Sequence, residues 1–213
     1  MVQFHKVKKK YVLRAGIVMA ITLIVISVVI NGLRINDYDI NITKIRNEKD
    51  VYFKESEESP ITEKDKFRGL DYFEIIPKYK VIGKLSLVDT LSILKVLRND
   101  GKLTKYKRFA RVSFLLDNIE HSIMLLKQLD QPEGDASLFM PFTDLSNSKE
   151  TYHTGRYIDL HYKDGQKTIE IDFNLAYNPY CAYNYKYSCP IPPRENFIQS
   201  KILAGEKNFF QKE

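Results

Sequence analysis

Two runs of alternating residues, joined by an Asp-Gly turn, constrain this chain more than anything else in it. Ile158, Leu160 and Tyr162 alternate with Tyr157, Asp159 and His161, and Ile169, Ile171 and Phe173 alternate with Thr168, Glu170 and Asp172. A side-chain period of two is that of a strand with one face buried. Asp164-Gly165 suits the tight turn between them, because such a turn needs positive φ and glycine supplies it without steric cost. A two-residue turn there predicts a hairpin with Leu160 opposite Ile169 and Ile158 opposite Ile171. A one-residue slip would send one apolar set to the wrong face. The same register sets Asp159 opposite Glu170, His161 opposite Thr168 and Tyr157 opposite Asp172. That outer face reads either as a solvated surface or as a carboxylate–histidine cluster able to hold a metal or move a proton.

A second hairpin is predicted from Arg108–Leu116 and Ile119–Leu129 around Asp117-Asn118. Its register sets Val112 against Ile123, Phe114 against His121 and Leu116 against Ile119. His121 then lies on the apolar face, where a lone histidine reads as a satisfied core residue. Val81–Val88 and Leu138–Phe142 read as further strands, and Ile198–Leu203 as a last edge strand. Asn99-Asp100-Gly101, Gln131–Asp135 and Thr143–Glu150 read as turns or loops. Periodicity does not decide between helix and strand for Leu91–Leu97. Leu70, Tyr72, Phe73, Ile75 and Ile76 read as an apolar segment plugging the end of a barrel or sandwich. Short strands at this spacing, with few helices, predict an all-β antiparallel sandwich or barrel.

The first third of the chain is different. Met1–Arg14 carries Lys6, Lys8, Lys9, Lys10 and Arg14 and no acid, and Ala15–Leu33 is uncharged and almost wholly apolar. Nineteen residues at helical rise reach about 28 Å, enough to cross a bilayer core. Basic residues before the run and Asp37 and Asp39 after it predict a cytoplasmic N-terminus. A cleaved signal peptide is the competing reading, but the run is long for one and no small-x-small cleavage site follows it. The expected organisation is a cytoplasmic basic segment at 1–14, a transmembrane signal anchor at 15–33, a stalk at 34–58, an extracytoplasmic β-domain at 59–207 and a tail at 208–213. The stalk should hold a short helix over Thr43–Glu57, broken by Ser59-Pro60. Thr62 with Asp65 then suggests a capped helical turn ended by Gly69, and the chain from Gly205 is expected to fray or dock loosely.

The charge fits this layout. Net charge is +6, yet five of the 33 basic residues lie in the first fourteen positions, leaving 28 against 27 acids. The basic excess is a membrane-orientation signal, and no nucleic-acid partner is expected, since that would need a basic face on the domain.

The densest chemistry follows the first hairpin. Tyr177, Tyr180, Tyr183, Tyr185 and Tyr187 crowd a loop holding Cys181 and Cys189 and leading into Pro190, Pro192 and Pro193. In an exported domain the two cysteines read first as a structural disulfide. Free core cysteines, a metal site or a reactive thiol are the other readings. The chain has no CxxC and no HxxxH, so no metal centre is assigned. It also lacks a GxSxG elbow, a phosphate-binding glycine loop and a dinucleotide fingerprint, so no cofactor is expected.

The runs GRYIDL, IDFNLAYNPYCAYN, CPIPPREN and AGEK resemble the bacterial and archaeal family known as domain of unknown function 1684. SPIT, FRGLDYFEI and FTDLSNSKETY upstream fit the same pattern, and the resemblance spans roughly Tyr52 to Lys207. It implies that Arg156, Asp159, Asp172, Asn174, Asn178, Cys181, Cys189, Glu195 and Asn196 occupy motif positions. No activity comes with it. Asp159, Asp172 and Glu195 are the candidate catalytic carboxylates, and Arg156, Asn174, Tyr177, Asn178 and Asn196 the candidate binding residues.

Three function classes stay open. The favoured one is a single-pass protein of the cell (inner) membrane, anchored by residues 15–33, whose extracytoplasmic domain binds an unknown envelope ligand or protein or is structural. The second is an extracytoplasmic hydrolase using the carboxylates, with or without a metal, which requires them to converge in one pocket. The third is a redox or metal carrier using the cysteines. The balance leans away from an enzyme.

Overall fold

The computed structural model describes residues 2–88, 92–132 and 134–210, with side chains of the long helix described at 16–27 and from 37 onward. Among the described residues one α-helix, α1 (Val2–Glu55), precedes eight strands. These are β1 (Lys80–Leu87), β2 (Ile93–Leu97), β3 (Leu103–Leu116), β4 (Ile119–Lys127), β5 (Ala136–Asp144), β6 (Arg156–Tyr162), β7 (Thr168–Asp172) and β8 (Phe197–Ile198). Residues 1–44 form one unit and 45–213 a second, which holds the end of α1 and all the strands. α1 runs unbroken through the expected stalk and stops at Glu55, so no separate helix starts at Thr43. Among the described residues no helix is long and apolar enough to cross a membrane. Of the expected span, the side chains of Ala15 and residues 28–33 lie outside the described residues, as do those of the basic segment 1–14.

The strands form a nearly closed, mostly antiparallel barrel. Hydrogen-bonded neighbours run β6-β5-β4-β3-β1-β7, with β2 beside β3 and β8 beside β5. Among the described strands, β8 alone pairs in parallel. One apolar face of each strand turns inward, and Val112, Phe114, Ile123, Leu125, Met140, Phe142, Ile158, Ile171 and Phe173 make one continuous core. The β3–β4 hairpin has the register read from the sequence: Val112 pairs Ile123, Phe114 pairs His121 and Leu116 pairs Ile119. Asp117 and Asn118 sit at φ 50° and 63°, as a tight hairpin turn demands. His121 is buried, packs on Phe114 and shares a 3.2 Å hydrogen bond with Ser200 Oγ.

The first predicted hairpin does not form as a ladder. β6 pairs with β5 (Leu160 opposite Leu138) and β7 pairs with β1 (Ile171 opposite Val81), so the two strands are the opposite ends of the sheet order. The expected Leu160–Ile169 and Ile158–Ile171 pairs are not made, and the outer cluster is split: Asp159 and His161 stay on one face of β6, while Glu170 and Thr168 lie on β7. Asp159 lies opposite Phe139 and His161 opposite Ser137, while Glu170 lies opposite Ile82 and Thr168 opposite Lys84. The physical reason is that a period of two fixes which face is buried and says nothing about which strand lies alongside. Asp164-Gly165 does turn the chain, with Gly165 at φ 76° and the Gln166 N–H donating to the Lys163 carbonyl. It turns it across the seam of the barrel.

Smaller expectations resolve in the same way. Residues 93–97 are strand; Leu91 lies outside the described residues. The turn after Thr62 covers only Lys64–Lys66 and has no side-chain cap, so the Thr62–Asp65 capping box is not made. The edge strand at Ile198 is two residues long. Of the supposed plug, Ile76 packs on the core, and Phe73 runs beside the C-terminal segment, its N–H donating to the Gly205 carbonyl at 2.9 Å. That segment is docked. Gly205 sits at φ +73°, where an added Cβ would meet the Ala176 carbonyl oxygen at 2.4 Å, and Glu206 is only 1% exposed. Of the expected tail, residues 211–213 lie outside the described residues.

Candidate functional site

The outer face of β5 and β6 floors a cleft. The alternation that buries Leu138, Met140, Ile158 and Leu160 turns Ser137, Phe139, Asp159 and His161 the other way. The loop after β7 folds over this face and encloses a volume of about 620 Å³. Its near end is tied to β6 by the backbone hydrogen bonds that Tyr157 and Tyr177 exchange at 2.9 and 3.0 Å. Its far end is tied to the β2–β3 turn. There Arg98 donates to Ser188 Oγ at 2.8 Å and to the Ser188 carbonyl at 2.5 Å, and the Cys189 N–H donates to Asn99 Oδ1 at 2.7 Å. Aromatic rings run across the floor. Tyr106 stacks on Phe139 at 5.6 Å, Phe139 meets Tyr157 edge-on at 4.7 Å, and Tyr157 meets Tyr177 edge-on at 5.8 Å. Such contacts hold the rings in place.

Asp159 and Tyr177, chosen separately from the sequence, meet here: the Tyr177 hydroxyl donates to Asp159 Oδ2 at 2.7 Å. Both also line a smaller pocket of about 220 Å³ with Arg46, Lys49, Tyr72 and Glu206. Burial, then the Asp159 charge, pushes the Tyr177 phenol well above its ordinary range, and burial does the same to Tyr157. Both stay neutral phenols at physiological pH.

Cys189 forms part of the cleft wall. It and Cys181 are thiols in this structure, and the Cys181 N–H donates to Cys189 Sγ at 3.2 Å. The Cys181 thiol also hydrogen-bonds Cys189, which with that N–H and the Arg98 charge brings Cys189 down to about 7 against the opposing effect of burial. Donating that bond, and then burial, raises Cys181. The thiolate is the reactive form. In the reduced full-length chain, Cys189 is therefore expected to alkylate half-maximally near pH 7, with Cys181 slower throughout. Peptide mass mapping of iodoacetamide labelling across pH checks this, and equal rates at the two positions would remove the asymmetry.

The other sequence candidates lie elsewhere. Arg156 is wholly buried, paired with Asp144 at 3.0 Å and donating to the carbonyls of Ile202 (2.8 Å), Ala204 (2.5 Å) and Glu206 (3.2 Å). Asp172 is buried at the end of β7 and accepts the Asn174 N–H at 2.9 Å. Asn174 clamps the backbone of Ile76 through both its amide oxygen and its amide nitrogen. Asn178 holds Glu206 and Lys207, and Asn196 bonds both backbone groups of Met124 and the carbonyl of Pro141. Glu195 is forked between Arg108 (3.1 Å) and Arg111 (3.0 Å). So the three candidate carboxylates do not converge, and only Asp159 lines the cleft. Among the described residues, no three His, Cys, Asp or Glu side chains gather closely enough to hold a metal ion.

Sequence reasoning passed over Tyr106, Phe139, Arg98, Asp144 and Glu206. Asp144 and Glu206 lie inside the quoted runs FTDL and AGEK, a signal that was there to use. Tyr106 and Phe139 carry none, because an aromatic at an outward strand position takes its meaning from the loop that covers it.

A family profile described as protein of unknown function (DUF1684) matches residues 65–207. Among solved structures, the chain is similar to the solution NMR structure of the uncharacterized protein from gene locus rrnAC0354 of Haloarcula marismortui. The two are 34% identical with a TM-score of 0.64, over 82% of this chain and 96% of that one. No curated protein matches the chain.

Proposed function

The chain belongs to that family, DUF1684, and we propose that it is a membrane-anchored extracytoplasmic protein of the cell envelope that binds a ligand in the cleft under the cysteine loop. The cleft carries the reading. At about 620 Å³ it falls within the range of small-molecule sites, roughly 300–1,000 Å³, and it has their make-up of aromatic walls with a few polar groups. Binding is favoured over hydrolysis by the candidate carboxylates, because neither Asp172 nor Glu195 reaches the cleft to pair with Asp159. The anchor rests on the uncharged run Ala15–Leu33 following the basic segment.

Export would place Cys181 and Cys189 where a disulfide persists. Their two S–H bonds become one S–S bond, and two protons and two electrons pass to a disulfide-bearing oxidant, which leaves as a dithiol. The bridge would pin the cleft's outer wall.

Ser137→Trp tests the site by filling the floor beside His161. A ligand at a hundred times its Kd stabilises a protein by about 2.7 kcal/mol. In a thermal-shift screen of the full chain, compounds that stabilise the native protein are expected to lose that effect in S137W. Equal stabilisation of both proteins would remove the cleft as the site. The chain should also stay with membranes through an alkaline carbonate wash, and its release would overturn the anchor.

A further inference from the structure

The charge of the cleft narrows its ligand. The chain carries 33 lysines and arginines, yet none lines the cleft, and its one carboxylate is Asp159. The Arg98 guanidinium is engaged with Ser188 and with Thr104 Oγ1 at 3.4 Å, and Arg46 and Lys49 line the smaller adjoining pocket that Asp159 also borders. Tyr177 is the one hydrogen-bond donor to Asp159 among the described residues, and the aspartate is exposed. Six aromatic rings stand around this negative charge: Tyr106, Phe139, Tyr157, Tyr177, Tyr180 and Tyr187. The faces of such rings carry negative potential and attract cations, most strongly where water is excluded. One of the rings already receives an ammonium, since Lys49 Nζ lies 4.7 Å from the Tyr177 centroid in the neighbouring pocket.

From this arrangement, and resting on the cleft's reading as a ligand site, we infer that the ligand is an organic cation: an alkylammonium group seated among the tyrosines with Asp159 as its counter-charge. A carboxylate or phosphate ligand would meet like charge with His161 as the one basic side chain in the lining and no lysine or arginine to offset it. A neutral ligand of the same shape would use the rings and leave the charge of Asp159 unanswered.

Choline and its uncharged carbon isostere, 3,3-dimethylbutan-1-ol, separate charge from shape. Each is titrated into the full chain in an uncharged detergent, and binding is read by calorimetry. Choline is expected to bind at least tenfold tighter than the isostere, with added salt weakening it. Asp159→Asn should bring the ratio close to one, and S137W should abolish binding of both. A wild-type ratio near one, with binding still blocked by S137W, would overturn the cation inference while upholding the cleft as a binding site. Binding indifferent to S137W would overturn both. Absence of binding by either compound would overturn the cation inference and leave the cleft to be judged by the broader screen.

Discussion

Arg156→Met is expected to cost about 3–5 kcal/mol, the usual cost of leaving one partner of a buried ion pair alone. That is a large part of the roughly 5–15 kcal/mol that keeps a domain folded. The guanidinium is 0% exposed and joins β6 to Asp144 of β5 and to three carbonyls of the chain's last segment. Burial pulls its pKa down, and the adjacent Asp144 carboxylate opposes that pull. Methionine fills much of the volume, so the loss comes from a stranded carboxylate and three undonated carbonyls more than from a cavity. Arg156→Lys should cost less, since it keeps the charge but cannot reach all four acceptors. The double variant Arg156→Met/Asp144→Leu should recover part of the loss, because removing both charges also removes the desolvation cost. Urea unfolding of the full chain measures all three. An R156M unfolding free energy within about 1 kcal/mol of the native chain's would show that the pair is not a structural rivet.

How much of this was legible beforehand depends on the range of the interaction involved. The β3–β4 register was readable because a tight turn and two apolar faces determine it locally. The β6 and β7 strands were readable one at a time, from the same alternation. Their partners were not, because β5 and β1 compete for their edges on equal terms and only closure of the whole barrel decides. With that pairing went the β7 half of the supposed carboxylate–histidine face, while Asp159 and His161 stay together on β6. The members of that face had been placed opposite one another by a ladder the barrel does not build.

The motif residues show a related limit. Arg156, Asn174, Asn178 and Asn196 are polar side chains in a recognisable pattern, and sequence alone leaves both ligand binding and folding open for them. The structure gives Arg156, Asn174 and Asn196 several backbone partners from distant segments and Asn178 the carbonyl of Lys207, which is the common work of buried polar groups. Asp159 and Tyr177 differ because the first is exposed and the second only half-buried, in a cleft whose other walls come from β3, β5 and the cysteine loop. No local pattern reports a site assembled from four stretches of chain.

Glu206→Ala is expected to loosen the cysteine loop as well as the fold. The carboxylate is almost fully buried and accepts from Lys49 Nζ at 2.5 Å, from the Asn178 N–H at 2.9 Å and from the Tyr183 hydroxyl. It thereby joins the end of α1, the start of the cysteine loop and the C-terminal segment. Tyr183 is also packed 5.0 Å from Phe53, so the same region carries an apolar cluster with Ile61 and Phe67. Alanine strands a largely buried ammonium and two donors, and should cost about 3–5 kcal/mol. Glu206→Gln keeps an acceptor for Asn178 and Tyr183 and should cost less, while Lys49→Met/Glu206→Leu removes both charges and should regain part of the loss. Hydrogen exchange separates this from a uniform drop in stability. Amides of residues 45–55 and 177–190 are expected to lose protection beyond the global change, whereas those of β3 and β4 should follow the global change alone. Uniform acceleration across all of them would mean that Glu206 supports the barrel as a whole and that the cysteine loop is held without it.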